Sequence, residues 1–135
     1  MENIECFSPD KKHKAILKYI SEIRFGPAYY SLLINNKEIK DRIFGGRILF
    51  SKNSVYLATE EWLTTDYAKG PITRVFLFDV VNQKVSEFKV IEKGFTRDFR
   101  FDANLFIYTR DSVGKKSEVE VDLTKINNWK PLNQS

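Results

Sequence analysis

The chain has one cysteine and one histidine among its 135 residues, and this scarcity excludes several kinds of chemistry. A single cysteine, Cys6, has no partner for an intramolecular disulfide bond, which is typical of a protein in a reducing compartment. Cys6 and His13 are too few donors for a closed zinc site, and His13 lies among lysines, away from any candidate nucleophile. We therefore predict no metal, no cofactor and no catalytic residue.

Long hydrophobic runs are also missing. No segment approaches the roughly 18 apolar residues that a membrane-spanning helix needs. The first residues, Met1 to Glu5, contain acids where a secretory signal peptide has a basic segment, and no unbroken apolar core follows them. The sequence thus predicts a cytoplasmic protein without a membrane partner.

Glycine-rich phosphate loops and strong charge of one sign are absent as well. The only adjacent glycines, Gly45-Gly46, predict a turn or a bulge. The net charge is +4, and the short basic clusters 11–14 and 115–116 fall at expected loop tips, where lysines commonly aid solubility and block edge pairing. Nucleic-acid binding is therefore not favoured, because no recognised binding motif accompanies these lysines.

Aromatic residues are abundant, with eleven Phe, six Tyr and two Trp interleaved with Val, Ile and Thr. Flat and β-branched side chains pack well on a pleated surface, so this composition favours strands. At 135 residues, 42% of them hydrophobic, the chain has enough apolar side chains for one core. We predict a single all-β domain over residues 1–135.

A repeat organises the strands. Phe7-Ser8 precedes Gly26-Pro27 and an apolar run that starts at Tyr30, and Phe50-Ser51 precedes Gly70-Pro71 and a similar run from Arg74 to Asp79. Repeats of this length indicate stacked supersecondary units. We predict an antiparallel meander of three repeated four-strand units, near residues 2–43, 44–92 and 93–135, arranged as a sandwich or a partial propeller.

Residues 11–23 have two interpretations. Ser8-Pro9-Asp10 is typical of a helix start, and Ile16, Tyr19, Ile20 and Ile23 follow at helical spacing. The repeat instead aligns Ala15–Tyr19 with the apolar run 55–59, which predicts a strand. We favour the strand, because the repeat is a long-range pattern and the helical signal is local.

The Phe-Ser turns and the apolar strand that ends in Asp79 resemble the blades of β-propellers of the WD-repeat and Tol-associated types. This resemblance implies four-stranded units linked by hairpins. Three units are one short of the usual minimum of about four blades. A partial propeller, a sandwich or association of two copies would each accommodate that number.

The second unit differs from the first by an enlarged connection, which we expect to extend from Glu60 to Lys69. Its acids and aromatic residues predict a partner-binding surface, because aromatic side chains anchor interfaces and carboxylates steer a partner. The predicted binding residues are Glu60, Glu61, Trp62, Asp66 and Tyr67. The alternative is structural, with Trp62 and Tyr67 covering the core and the acids solvated.

In size, β character and lack of catalytic motifs, the chain resembles small bacterial immunity proteins that neutralise a toxin. This resemblance implies a non-enzymatic cytoplasmic protein whose partner is a toxin catalytic domain. Two other functions stay open: a carbohydrate-binding or glycoside-processing domain that uses the same connection, and weak nucleic-acid binding through the lysine turns.

Overall fold

A computed structural model of the chain describes residues 2–24 and 26–132 and has an antiparallel all-β fold, as predicted. In chain order the strands are β1 (Ile4–Phe7), β2 (Lys14–Glu22), β3 (Ala28–Ile34), β4 (Lys37–Glu38), β5 (Ile43–Phe50), β6 (Tyr56–Trp62), β7 (Ile72–Asp79), β8 (Lys84–Glu87), β9 (Ile91–Glu92), β10 (Gly94–Asp102), β11 (Leu105–Ser112), β12 (Lys115–Asp122) and β13 (Lys130–Pro131). Single-turn 3-10 helices occupy Tyr67–Lys69 and Leu123–Lys125. The remaining residues of the predicted domain, 1, 25 and 133–135, lie outside the described part.

The strands form two sheets. The larger has the order β1-β2-β3-β5-β6-β7-β8-β13, with β4 paired to β3 and β9 paired to β7, and the smaller has the order β10-β11-β12. The first unit thus forms four strands, β1–β4, and the second forms β5–β8 and the two-residue strand β9. The third unit has three strands in its own sheet, because the chain then returns to the larger sheet, where Lys130 lies opposite Val85.

The two Phe-Ser turns are built alike. Ser8 Oγ donates to Asp10 Oδ1 and Ser51 Oγ donates to Asn53 Oδ1, both at 2.6 Å. Each serine Oγ also accepts the backbone N–H five residues later, at 3.0 Å in the first turn and 2.9 Å in the second. The backbone N–H of Asp10 donates to Ser54 Oγ at 3.0 Å, which joins the turns. The sequence repeat is therefore also a repeat of hydrogen bonds.

Strand β2 decides between the two interpretations of residues 11–23 in favour of the strand. Ala15 and Leu17 are fully buried, whereas Ile16 between them is only half-buried, which is the alternation of a pleated strand. Pairing on both sides, with β1 and β3, supplies the backbone hydrogen bonds that an isolated helix would have formed internally. Tertiary pairing therefore overrides the local helical signal.

The second unit lies between the other two. Along β6 and β7, successive buried side chains alternate between two cores. The core shared with the first unit contains Leu57, Phe76 and Phe78 beside Leu17, Leu32 and Phe44. The core shared with the third unit contains Ala58, Val75 and Leu77 beside Phe101, Phe106 and Tyr108. The units therefore stack as three layers, with the middle one buried on both faces, as in a sandwich.

Two features lie at the margins of the stack. Strand β12 is an edge strand with Glu118 and Glu120 in solvent and Val119 and Val121 turned to the core. The indole of Trp129 stacks on Tyr56, with ring centroids 6.0 Å apart, and covers one end of that core. Among the described residues, no helix has the length and hydrophobicity that crossing a bilayer requires.

Equivalent substitutions in the two Phe-Ser turns test the repeat. Ser8→Ala and Ser51→Ala each remove a buried hydroxyl that donates one hydrogen bond and accepts another. We expect each variant to lose about 1–2 kcal/mol of unfolding free energy in urea denaturation. Loss in one variant with no change in the other would contradict the structural equivalence of the turns.

Candidate functional site

The enlarged connection of the second unit begins later than the sequence predicts. Strand β6 continues through Trp62, because Glu61 pairs with Arg74 and Trp62 pairs with Thr73 on β7. Glu60, Glu61 and Trp62 are only 2%, 4% and 3% exposed. The expectation that these three residues belong to a solvent-facing loop is therefore wrong, and the connection itself covers residues 63–71.

Asp66 and Tyr67 do lie in the connection. Asp66 is exposed, and its Oδ1 accepts the backbone N–H of Ala68 at 2.9 Å, which caps the 3-10 helix Tyr67–Lys69. The Tyr67 ring turns inward against Trp62, with centroids 6.0 Å apart. Of the five predicted binding residues, Asp66 alone is fully exposed.

Glu61 belongs to a charge network on the face of β6 toward the first unit. Its Oε1 accepts from Arg42 Nη1 at 3.0 Å and from Arg74 Nε at 2.8 Å. The same arginines reach Glu87 Oε2 at 2.6 Å and 3.1 Å, and Lys130 contacts Glu87 Oε1 at 2.5 Å. Burial raises the pKa of Glu87, but hydrogen bonds from Lys130 and Arg42 outweigh that effect and leave the pKa lowered. Each carboxylate is paired, so the network is structural.

Glu60 points to the opposite face, toward the third unit. Its Oε2 accepts the backbone N–H of Thr96 at 2.7 Å and the Thr96 hydroxyl at 2.8 Å, and its Oε1 accepts Trp62 Nε1 at 3.0 Å. Thr96 lies on β10, which is an edge strand of the smaller sheet, so its outward N–H has no neighbouring strand to pair with. The carboxylate of Glu60 accepts the hydrogen bond that a neighbouring strand would otherwise accept, and it thereby joins the second unit to the third.

Gly45 leaves the space that this arrangement needs. A Cβ atom at Gly45 would lie 2.4 Å from Glu60 Oε1 and 2.7 Å from Trp62 Nε1. The pairing of β5 with β6 shifts register between Phe44 and Ile48, so the predicted turn or bulge at Gly45-Gly46 is confirmed as an irregularity within the strand. The glycine allows close approach of backbone to a buried carboxylate.

A cavity of about 430 Å³ opens beside Glu60, where side chains of all three units meet. The residues that line it include Ala28, Arg47, Glu60, Trp62, Phe95 and Arg97. The structure thus brings two predicted residues, Glu60 and Trp62, to one cavity, with Tyr67 packed behind them against Phe95 at 6.4 Å between ring centroids. Glu61 and Asp66 do not line this cavity.

Two arginines of the cavity were not among the residues predicted from sequence. Arg47 lies on β5, the first strand of the second unit, three positions before Phe50. Arg97 lies on β10, the first strand of the third unit, four positions before Phe101. Each phenylalanine ends the apolar pattern of its strand. That similar position within the repeat is the signal that identifies them. The repeat is defined by apolar residues and turn residues, so it does not indicate a role for charged residues on the same strand.

The two arginines differ in their partners. Arg97 forms an ion pair with Asp111 and lies over the ring of Phe95, 5.6 Å from its centroid. The Nε atom of Arg47 is buried without a hydrogen-bond partner, and no ion pair of Arg47 is found among the described residues. Arg47 therefore lines the cavity as a cation without an ion-pair partner among the described residues.

Two features bear on catalysis at the cavity. The Thr96 hydroxyl donates to a carboxylate, as an activated nucleophile would, but Thr96 is fully buried and no substrate can reach it. Across residues 2–24 and 26–132, no group of three or more His, Cys, Asp or Glu side chains is placed to hold a metal ion.

No protein-family model, curated protein or solved structure matches this chain.

Replacing Glu60 with glutamine tests its role in the fold. A glutamine amide presents an NH₂ group on one side, so it cannot accept hydrogen bonds from all three donors that Glu60 serves. We expect Glu60→Gln to lower the unfolding free energy by about 2 kcal/mol. Glu118→Gln, at an exposed position of β12, is the matched control and should change stability little. Equal stability of both variants would contradict this role.

Tyr67 gives a pH-dependent test of the same region. Burial raises the pKa of the Tyr67 phenol from its ordinary value of 10.0 to about 12, and the Glu60 carboxylate adds to the rise. Because the pKa is higher in the folded state, the phenol ionises more readily in the unfolded chain, so wild-type stability falls as pH rises from 10 toward 12. The unfolding free energy of wild type should therefore decrease relative to that of Tyr67→Phe over that range. A constant difference would contradict the buried position of the phenol.

Proposed function

We propose that this chain is a non-enzymatic protein-binding module of the immunity-protein type, and that its partner presents an acidic surface. The observation that carries the proposal is a convergence of exposed lysines at one end of the stack. The cavity supports the non-enzymatic part, because Glu60 is the one carboxylate among the described residues that line it and glycoside hydrolysis ordinarily uses two.

The lysines come from three separate segments. Lys93 packs against Gly70, since a Cβ atom at Gly70 would lie 3.0 Å from Lys93 Cγ. The backbone N–H of Val113 donates to Lys93 O at 3.2 Å, which brings the β11–β12 turn to the same place. We call the exposed surface of Lys69, Lys93, Lys115 and Lys116 the lysine end.

The charge of the proposed interface is set by the charged side chains that are exposed and not already paired within the protein. Glu60 and Glu61, the acids predicted to steer a partner, are buried and hold internal hydrogen bonds. The lysines of the lysine end form no ion pair among the described residues and extend into solvent. Complementary charge speeds association and fixes register, so these lysines favour an acidic partner.

Charge reversal at the lysine end tests the proposal. The chain would be co-expressed with the product of the adjacent gene, and the affinity measured for wild type and for a Lys115→Glu, Lys116→Glu variant. We expect a loss of about tenfold or more at low salt, mainly in the association rate. The matched control is Lys11→Glu, Lys12→Glu, in the Ser8 turn at the opposite end of the strands.

Two results would contradict the proposal. If the adjacent gene product does not bind, the immunity-type function is wrong. If it binds and both charge-reversal variants lose affinity equally, the lysine end is not the interface.

A further inference from the structure

We propose that the cavity beside Glu60 is a binding site for a carboxylate, recognised by the guanidinium of Arg47. The site goes beyond the proposed function, because it does not depend on the lysine end or on a protein partner. Its volume of about 430 Å³ falls within the range of small-molecule sites, which is about 300–1,000 Å³.

The first support is the unused donor capacity of Arg47. A guanidinium has five N–H donors in a planar fork, and leaving a buried donor unpaired costs free energy. The Nε of Arg47 is buried without a partner, and Glu60, which lines the same cavity, forms no ion pair with Arg47. Glu60 is held in place by Thr96 and Trp62, so it is not free to swing toward Arg47.

The second support is the charge of the surrounding wall. Asp111 neutralises Arg97, so Arg47 is the cation whose charge is open to a ligand. Glu60 carries a negative charge in the same cavity, which opposes binding of any anion and opposes a dianion such as phosphate more strongly than a monoanion. A carboxylate has one negative charge to match the charge of Arg47. Its two oxygens can also accept two parallel N–H···O bonds from the planar guanidinium.

The third support is the apolar wall. The ring centroids of Phe95 and Trp62 lie 6.4 Å apart at the cavity, and a planar group of a ligand can pack against these rings. A planar aromatic acid therefore uses both features of the site, the guanidinium and the rings. An acidic side chain that a partner protein inserts uses the guanidinium alone.

NMR titrations of the full chain at constant ionic strength test the proposal. Changes in the chemical shifts of the backbone amides report binding. The probes are benzoate and an acetylated, amidated tripeptide Gly-Glu-Gly, and their neutral controls are benzamide and the corresponding glutamine tripeptide. We expect at least one acid to bind saturably, with shifts at Arg47, Phe95 and Thr96, and its neutral control to bind about tenfold or more weakly. Binding of benzoate indicates a free organic acid as ligand, whereas tighter binding of the peptide indicates an acidic side chain.

Variants separate the proposed site from nonspecific attraction. Arg47→Gln should weaken binding of the acid about tenfold or more, and Arg47→Lys should restore part of it, because the charge returns without the fork. Arg100→Gln, on the exposed part of the same strand as Arg97, is the control and should bind like wild type. Equal binding of acids and neutral controls, or equal binding by wild type and a folded Arg47→Gln, would overturn the proposal.

Discussion

The buried carboxylate of Glu60 accepts the outward N–H of Thr96, and this contact joins the third unit to the second beside the apolar core that they share. A strand at the edge of a sheet has a row of unpaired N–H groups, which must find acceptors when they are buried. At Thr96 the acceptor is a side chain 36 positions earlier in the chain. The close approach at Gly45, the orientation of Trp62 and the shape of the cavity all follow from holding this carboxylate in place.

Because the middle unit is buried on both faces, its polar side chains must be satisfied within the stack. Glu60 and Glu61 meet this requirement on opposite faces, one through hydrogen bonds to the third unit and one through arginines. The groups left for external partners are therefore at the end of the stack and in the cavity. The lysine end and Arg47 are both cationic, and for this reason we propose acidic ligands for both.

Local chemistry made much of the fold predictable. The Phe-Ser turns, the strand that ends in Asp79 and the exposed face of β12 depend on residues close in sequence, and the repeat predicted strand β2 against a helical spacing. The site was less predictable, because burial of Glu60 and Glu61 depends on donors from distant strands. Nothing in the sequence near Glu60 indicates that Thr96 will supply its hydrogen bonds. An acidic, aromatic segment therefore looked like a solvent-exposed connection.

Amide hydrogen exchange at Thr96 tests the central contact most directly. The N–H of Thr96 has no strand partner on that side, so only the Glu60 carboxylate protects it from solvent exchange. We predict that Thr96 exchanges as slowly as the central amides of β6 and β7, close to the rate set by global unfolding. Exchange of Thr96 at the rate of an unprotected edge amide would contradict the contact and, with it, this account of how the three units are joined.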